Sequence, residues 1–267
     1  MPSVNAQASP ATAEFRFYEE LNDLLAPGLR QRAFAYAFTG TPAVKDAIEA
    51  IGVPHTEVDL VLVDGVSVDF AWRLRGGERV AVYPVFERLD IAAVTRLRPR
   101  PLRQTRFVLD AHLGKLARRL RLLGFDTAYD PCLDDAAIVA CSRADARIIL
   151  TRDRGLLERR AVTRGYWLRA TDPNEQALEV VRVFDLRASE RPFSRCLCCN
   201  GEVRAAAKET IADRLPAGVR ARFDDFAHCP ACDRVYWRGT HHARLQRLVD
   251  QLVGGDSADT DVEGSCR

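Results

Sequence analysis

Apolar and polar positions change period several times along the chain, and each change marks a new element. Phe15-Arg16-Phe17-Tyr18 alternates as a half-buried strand does. A polar stretch follows, after which Val44, Ala47, Ile48 and Ile51 repeat at helical spacing. Thr41-Pro42 supplies an N-cap and a first-turn proline for this helix, and Gly52 closes it. Residues 58–63 and 66–72 read as two strands joined by Asp64-Gly65, a strong hairpin signal. A turn at Gly76-Gly77 leads into a last strand over 79–84. Residues 14–92 therefore predict one helix on a small mixed sheet, with no catalytic group in it.

From residue 106 the pattern becomes a strict alternation of short apolar runs and helical stretches. Strands are expected at 107–109, 126–129, 147–150 and 166–169, with helices over 111–123, 134–145, 154–160 and 174–184. Gly124 ends the first of these helices, and Asp172 or Thr171 caps the last, with Pro173 in its first turn. Such alternation implies a parallel sheet with right-handed crossovers. Two of the strand runs end in a carboxylate, Asp110 and Asp153, and an acidic pair, Asp134-Asp135, precedes another helix. Ligands of open α/β sheets bind outside the carboxyl ends of the strands. Three carboxylates at one such edge make a hard-oxygen site suited to Mg²⁺ or Mn²⁺. The alternative for Asp110 and Asp153 is a helix-capping role, for which Asp is favoured. Asp126, in the Gly124-Phe125-Asp126-Thr127 turn, reads as structural.

Composition sharpens this division. An apolar fraction of 47% is ordinary for a soluble globular protein, and no apolar run is long enough for a membrane span. The first residues lack the pattern of a signal peptide, so a cytoplasmic location is expected. The formal net charge of +2 conceals an asymmetry. Residues 14–92 carry about −5, residues 93–190 about +6 and residues 191–252 about +4. Basic segments after an acidic one suit a polyanionic partner for the later part of the chain, although an arginine-rich surface alone gives the same balance. Lys115, Arg118 and Arg119 share one helix face just after Asp110, and Arg152 precedes Asp153. Binding of an RNA backbone is one reading of these cations; a solvated helix face and a salt bridge are the others. Thr151 is placed to donate a hydrogen bond to a metal ligand or to substrate.

Eight cysteines in a chain expected in a reducing compartment favour metal or thiol chemistry over disulfides. Cys196 with Cys199, and Cys229 with Cys232, form two C-x-x-C pairs separated by 29 residues, the spacing of two knuckles closing a structural Zn²⁺ site. Tyr236 and Trp237 follow, either as base-stacking groups or as an apolar wall beside the zinc.

These motifs carry a resemblance. The stretch FVLDAHLGKLARRLRLLGFDTAYD, then DDAAIVACSRADARIILTRDRGLLERR, is similar to the Mut-7 C-terminal RNase domain family, a branch of the PIN-like metal-dependent nucleases. The piece VPHTEVDLVLVDGVSVDF resembles the ubiquitin-like β-grasp fold, especially its sulfur-carrier branch. Gly76-Gly77 is internal here, so the carriers' free Gly-Gly tail chemistry is absent. The resemblance implies an α/β, PIN-like parallel-sheet (Rossmannoid) nuclease domain over 106–190. An α+β ubiquitin-like β-grasp domain over 14–92 would precede it, and a zinc ribbon with a C-terminal helix over 191–252 would follow. A disordered lead (1–13), a basic proline-bearing linker (93–105) and a disordered tail (253–267) complete the expectation. By motif position Asp110, Asp135 and Asp153 are the implied catalytic metal ligands, with Asp134 as the alternative to Asp135. The implied activity is hydrolysis of RNA by an activated water. The ubiquitin-like domain is left as a binding or scaffolding module for a protein partner. The other class of reading is a non-catalytic RNA- or protein-binding adaptor built on the same zinc ribbon.

Overall fold

A computed structural model describes residues 10–84, 97, 105–186 and 191–253. The expected lead, linker and tail lie outside the described residues except at 10–13, 97, 105 and 253. The chain divides into two compact units: the part up to residue 104 together with 153–167, and 105–152 together with the part from 168 onward. Among the described residues no helix is long and apolar enough to cross a membrane.

The first unit is built on strands β1 (Ala11–Phe17), β2 (Phe34–Phe38), β3 (Val58–Val63), β4 (Val66–Ser67) and β5 (Arg79–Pro84), with helix α1 (Val44–Ile51). The sheet order is β2-β1-β5-β3-β4. Its central pair, β1 and β5, is parallel, while β2 and β3 flank them antiparallel. Val44, Ala47 and Ile48 of α1 are buried in one core with Phe15, Phe17, Val61 and Val82. β1 begins at Ala11, inside the stretch expected as lead-in. Three details differ from the local pattern. β2 occupies what reads as a polar stretch. The cap of α1 is Ala43 rather than Thr41, with the Ala43 N–H donating to the Asp46 carboxylate. β4 stops at Ser67, well short of residue 72.

In the second unit, β6 (Arg106–Leu109), α2 (Gly114–Leu122), β7 (Asp126–Ala128), α3 (Asp135–Asp145) and β8 (Ile148–Thr151) give the expected strand–helix alternation. β6 lies between β7 and β8 and is parallel to both. β9 (Gly165–Trp167) is the fourth strand of this sheet, in the order β7-β6-β8-β9, as the pattern predicts. Residues 153–167, with α4 (Arg154–Glu158), nevertheless cluster compactly with the first unit, and the chain continues with α5 (Pro173–Val183). Phe107, Leu109, Leu116, Leu120, Ile138 and Val180 are fully buried. Gly124 adopts φ +94, and a Cβ there would stand 2.2 Å from the Arg191 carbonyl oxygen, so α2 can end against the ribbon only with glycine.

The ribbon contains β10 (Arg204–Ala206), α6 (Lys208–Ile211), α7 (Ala217–Arg222), β11 (Phe226–Cys229) and β12 (Arg234–Trp237), followed by α8 (Thr240–Val253). Its sheet is antiparallel in the order β10-β11-β12. Its attachment to the parallel sheet centres on Asp126. This carboxylate accepts from Arg147 at 2.7 Å and from the Asn200 amide at 2.7 Å. Arg147 also donates to the Phe107 carbonyl and to Asp145.

Burial alone would raise the pKa of Asp126, but the hydrogen bonds from Arg147 and Asn200 outweigh it and hold the carboxyl below its usual range. A depressed folded-state pKa stabilises above the unfolded value, here about pH 4, and is lost as pH falls through the folded value. Asp126→Asn is therefore expected to cost about 1–3 kcal/mol at neutral pH. The gap from wild type should shrink as the pH drops below about 4. Urea unfolding at two pH values measures both effects; a gap that does not change with pH would contradict this role.

Candidate functional site

Because β6 and β8 are parallel with Leu109 opposite Leu150, their carboxyl ends share an edge, and Asp110 and Thr151 emerge side by side. The Asp110 N–H donates to the Leu150 carbonyl at 3.1 Å. The buried Thr151 hydroxyl donates to Asp110 Oδ2 at 2.6 Å, and His112 Nδ1 lies 3.4 Å from the same oxygen. The Asp110 side chain makes no capping hydrogen bond to the helical turn that follows. The Thr151 hydroxyl thus orients the Asp110 carboxylate, 15% of whose side chain is exposed.

The other carboxylates take separate places, and among the described residues the four cysteines alone form a group of three or more side chains close enough to hold a metal ion. β7 is parallel to β6, so the chain leaves it at the same edge before α3. Asp134 takes the capping task, accepting from the Ala137 N–H at 2.8 Å, and Asp135 becomes the first, half-buried residue of α3. Asp153 does cap its helix, accepting from the Gly155 N–H at 2.8 Å, and it belongs to the first unit. Asp172 caps α5, with Pro173 in the first turn.

A cleft of about 630 Å³ is lined by Lys115, Arg118 and Arg152, together with Tyr129, Thr171, Gln176 and His112, whose ring lies 3.4 Å from Asp110. Asp110, Asp135 and Asp153 are not among its lining residues. Three of the four cations expected to meet substrate thus line one concavity. Arg119 is turned elsewhere: its guanidinium donates to the Asn174 side chain at 2.6 Å and to the Lys115 carbonyl at 3.0 Å. Burial lowers its pKa, opposed by the nearby Asp172. Tyr129 was not legible as a lining residue. Its hydroxyl donates to the Ala111 carbonyl at 2.8 Å, and a Cβ on Gly114 would lie 2.6 Å from the same hydroxyl. The glycine of the LGKLAR motif therefore makes room for this ring. No local signal in the sequence marks Thr171 or Gln176 as lining this cleft.

The cysteine pairs converge. The ligating sulfurs of Cys196, Cys199, Cys229 and Cys232 all lie within 4.8 Å of one another. Cys196–Cys232 and Cys199–Cys229 are each 3.5 Å apart. Zn–S bonds of about 2.3 Å place tetrahedral sulfurs about 3.8 Å apart, so the set fits zinc with little adjustment. Burial disfavours the Cys196 thiolate, but the Tyr236 hydroxyl 3.0 Å away and the Cys198 and Cys199 N–H groups bring its pKa down to about 6. Desolvation and the sulfurs of Cys199 and Cys196 push Cys232 up to about 12. Such a set sheds its first proton readily and holds later ones until a cation offsets the charge. Tyr236 therefore serves the sulfur site, whereas Trp237 is exposed. His228 pairs with Asp233 at 2.8 Å and lies outside the ligand set.

Purified protein is expected to contain about one zinc per chain, as four thiolates require. Cys229→Ser should lose that zinc and Cys198→Ser should keep it, measured by elemental analysis. Undiminished zinc in Cys229→Ser would contradict the assignment.

Comparison with known families places 153–167 with the second domain rather than the first. The Mut7-C RNAse domain matches residues 105–249, and the Mut7-C ubiquitin domain matches residues 10–90. No curated protein and no solved structure matches the chain significantly. With more than half its length matched by one family, and the ubiquitin-like domain and four-cysteine cluster both present, this chain belongs to the Mut7-C RNAse domain family.

Proposed function

We propose that the protein is a cytoplasmic, metal-dependent ribonuclease that hydrolyses RNA phosphodiester bonds. The observation that carries this reading is the strand-end carboxylate of Asp110, oriented by Thr151 and next to His112, which lines a cleft together with Lys115, Arg118 and Arg152. Asp110 follows β6 directly, Asp135 opens α3 after the neighbouring parallel strand β7, and both are proposed ligands by motif position, as is Asp153 in the RIILTRD motif. A divalent ion of the Mg²⁺ or Mn²⁺ type would supply Lewis-acid stabilisation of charge on the phosphodiester. The chain's own groups have separate tasks. Thr151 holds the Asp110 carboxylate in one orientation. Lys115 and Arg118 neutralise backbone phosphates, and Arg152 adds a planar guanidinium suited to bidentate phosphate contact. Arg119 acts in this scheme by fastening α2 to Asn174 rather than by touching substrate.

In an assay of purified protein on mixed single-stranded RNA with Mn²⁺ or Mg²⁺, Asp110→Asn should lower turnover by about 10²–10³-fold, the range for losing one electrostatic stabiliser of the transition state. Lys115→Ala should chiefly weaken RNA binding, flattening its logarithmic salt dependence by roughly 0.7. Equal cleavage by wild type and Asp110→Asn would sink the nuclease reading. RNA binding without cleavage under any ion would favour the adaptor instead.

A further inference from the structure

We propose that the ubiquitin-like domain is the holdfast of the segment carrying Asp153, and thus a positioning part of the nuclease. The proposal rests on Asp153 being a metal ligand. Residues 153–167, with α4 and β9, form one compact unit with the ubiquitin-like fold. Their attachment is polar and buried. In the helical turn His55–Glu57, His55 is 6% exposed and Glu57 4%. His55 Nε2 is 2.8 Å from the Val162 carbonyl oxygen, which can only accept, so that nitrogen carries a hydrogen. Its Nδ1 meets the Glu49 carboxylate at 2.6 Å, and Lys45 stands 3.9 Å from that same carboxylate. The Glu57 carboxylate accepts from the backbone N–H of Trp167. Arg154, next to Asp153, donates to the Leu24 carbonyl at 3.3 Å and lies over the Trp167 ring, 4.4 Å from its centroid.

A buried imidazole and a buried carboxylate are costly unless partnered. Here hydrogen-bond partners for both come from the Asp153 segment. Without 153–167, His55 and Glu57 would lose these contacts inside the domain. A domain serving only as a separate docking module would have no use for that pair. The segment gains in turn: Leu156, Leu157 and Val162 are buried, and both ends of the segment, Arg154 and Trp167, are tied down.

The test is hydrogen exchange on the full chain, read beside single-turnover cleavage and RNA affinity. Glu57→Ala and Arg154→Ala should each speed exchange in 153–167 by roughly 5- to 100-fold, as loss of one partner of a buried polar contact implies. Amides of β1 and β5 should stay protected, turnover should fall, and RNA affinity should be unchanged. Glu57→Gln, whose side-chain oxygen still accepts from Trp167, should restore protection. Unchanged exchange of 153–167 in both alanine variants would overturn the holdfast. Faster exchange with undiminished turnover would overturn the positioning of Asp153 while leaving the nuclease intact. Wild type that cleaves nothing, yet shows the exchange effect, would defeat the nuclease reading and keep the holdfast.

Discussion

The carboxylate of Asp126 is the joint on which the second unit depends. Arg147, at the entrance to β8, reaches it across the floor of the sheet and also holds the Phe107 carbonyl of β6. Asn200, from the loop after the first cysteine knuckle, donates to the same carboxylate and accepts from the Thr127 N–H at 2.9 Å. β7 is an edge strand, and an unpaired edge invites wrong pairing. Here the zinc loop covers it. Arg121 repeats the arrangement from α2: buried, it donates to the Thr127 carbonyl and to the carbonyls of Leu197 and Cys198. Burial lowers its pKa, and the neighbouring thiols oppose that shift. The ribbon is therefore part of the parallel-sheet unit.

From that joint the proposed chemistry follows by register. Strands fastened at their amino ends by Arg147 and Asp126 deliver Asp110 and Thr151 together at their carboxyl ends. The helix after β6 then carries Lys115 and Arg118 into the cleft, and Gly114 lets Tyr129 close over its first turn. Stabilising contacts gather at the amino ends of the strands, and Asp110 and Thr151 lie at the carboxyl ends, where open α/β sheets bind their ligands.

Much of this was legible in the sequence because it is local. The Asp64-Gly65 hairpin, the Gly52 and Gly124 stops, the Asp172 cap and the cysteine pairs each depend on a few adjacent residues, and each appears where the pattern places it. What escaped depends on distant partners. Phe34–Phe38 alternates Phe34, Tyr36 and Phe38 with alanines, a weak strand signal that becomes β2 only by pairing with β1. Arg121 sits among exposed cations in the sequence, yet its burial answers carbonyls more than seventy residues away. Nor does periodicity tell that 153–167 also packs against His55 and Glu57, which lie about a hundred residues earlier. Whether Asp134 or Asp135 caps α3 is a matter of one residue of register, finer than hydrophobic spacing resolves.

The account stands or falls on Asp110 as a ligand for a hard divalent cation. Electron paramagnetic resonance of Mn²⁺ titrated into zinc-loaded protein reads this directly, because the six-line signal of the free ion fades as it binds. Wild type should quench the signal with saturation, and Asp110→Asn, with its zinc intact, should leave it close to that of free Mn²⁺. Equal quenching by the two proteins would contradict the account.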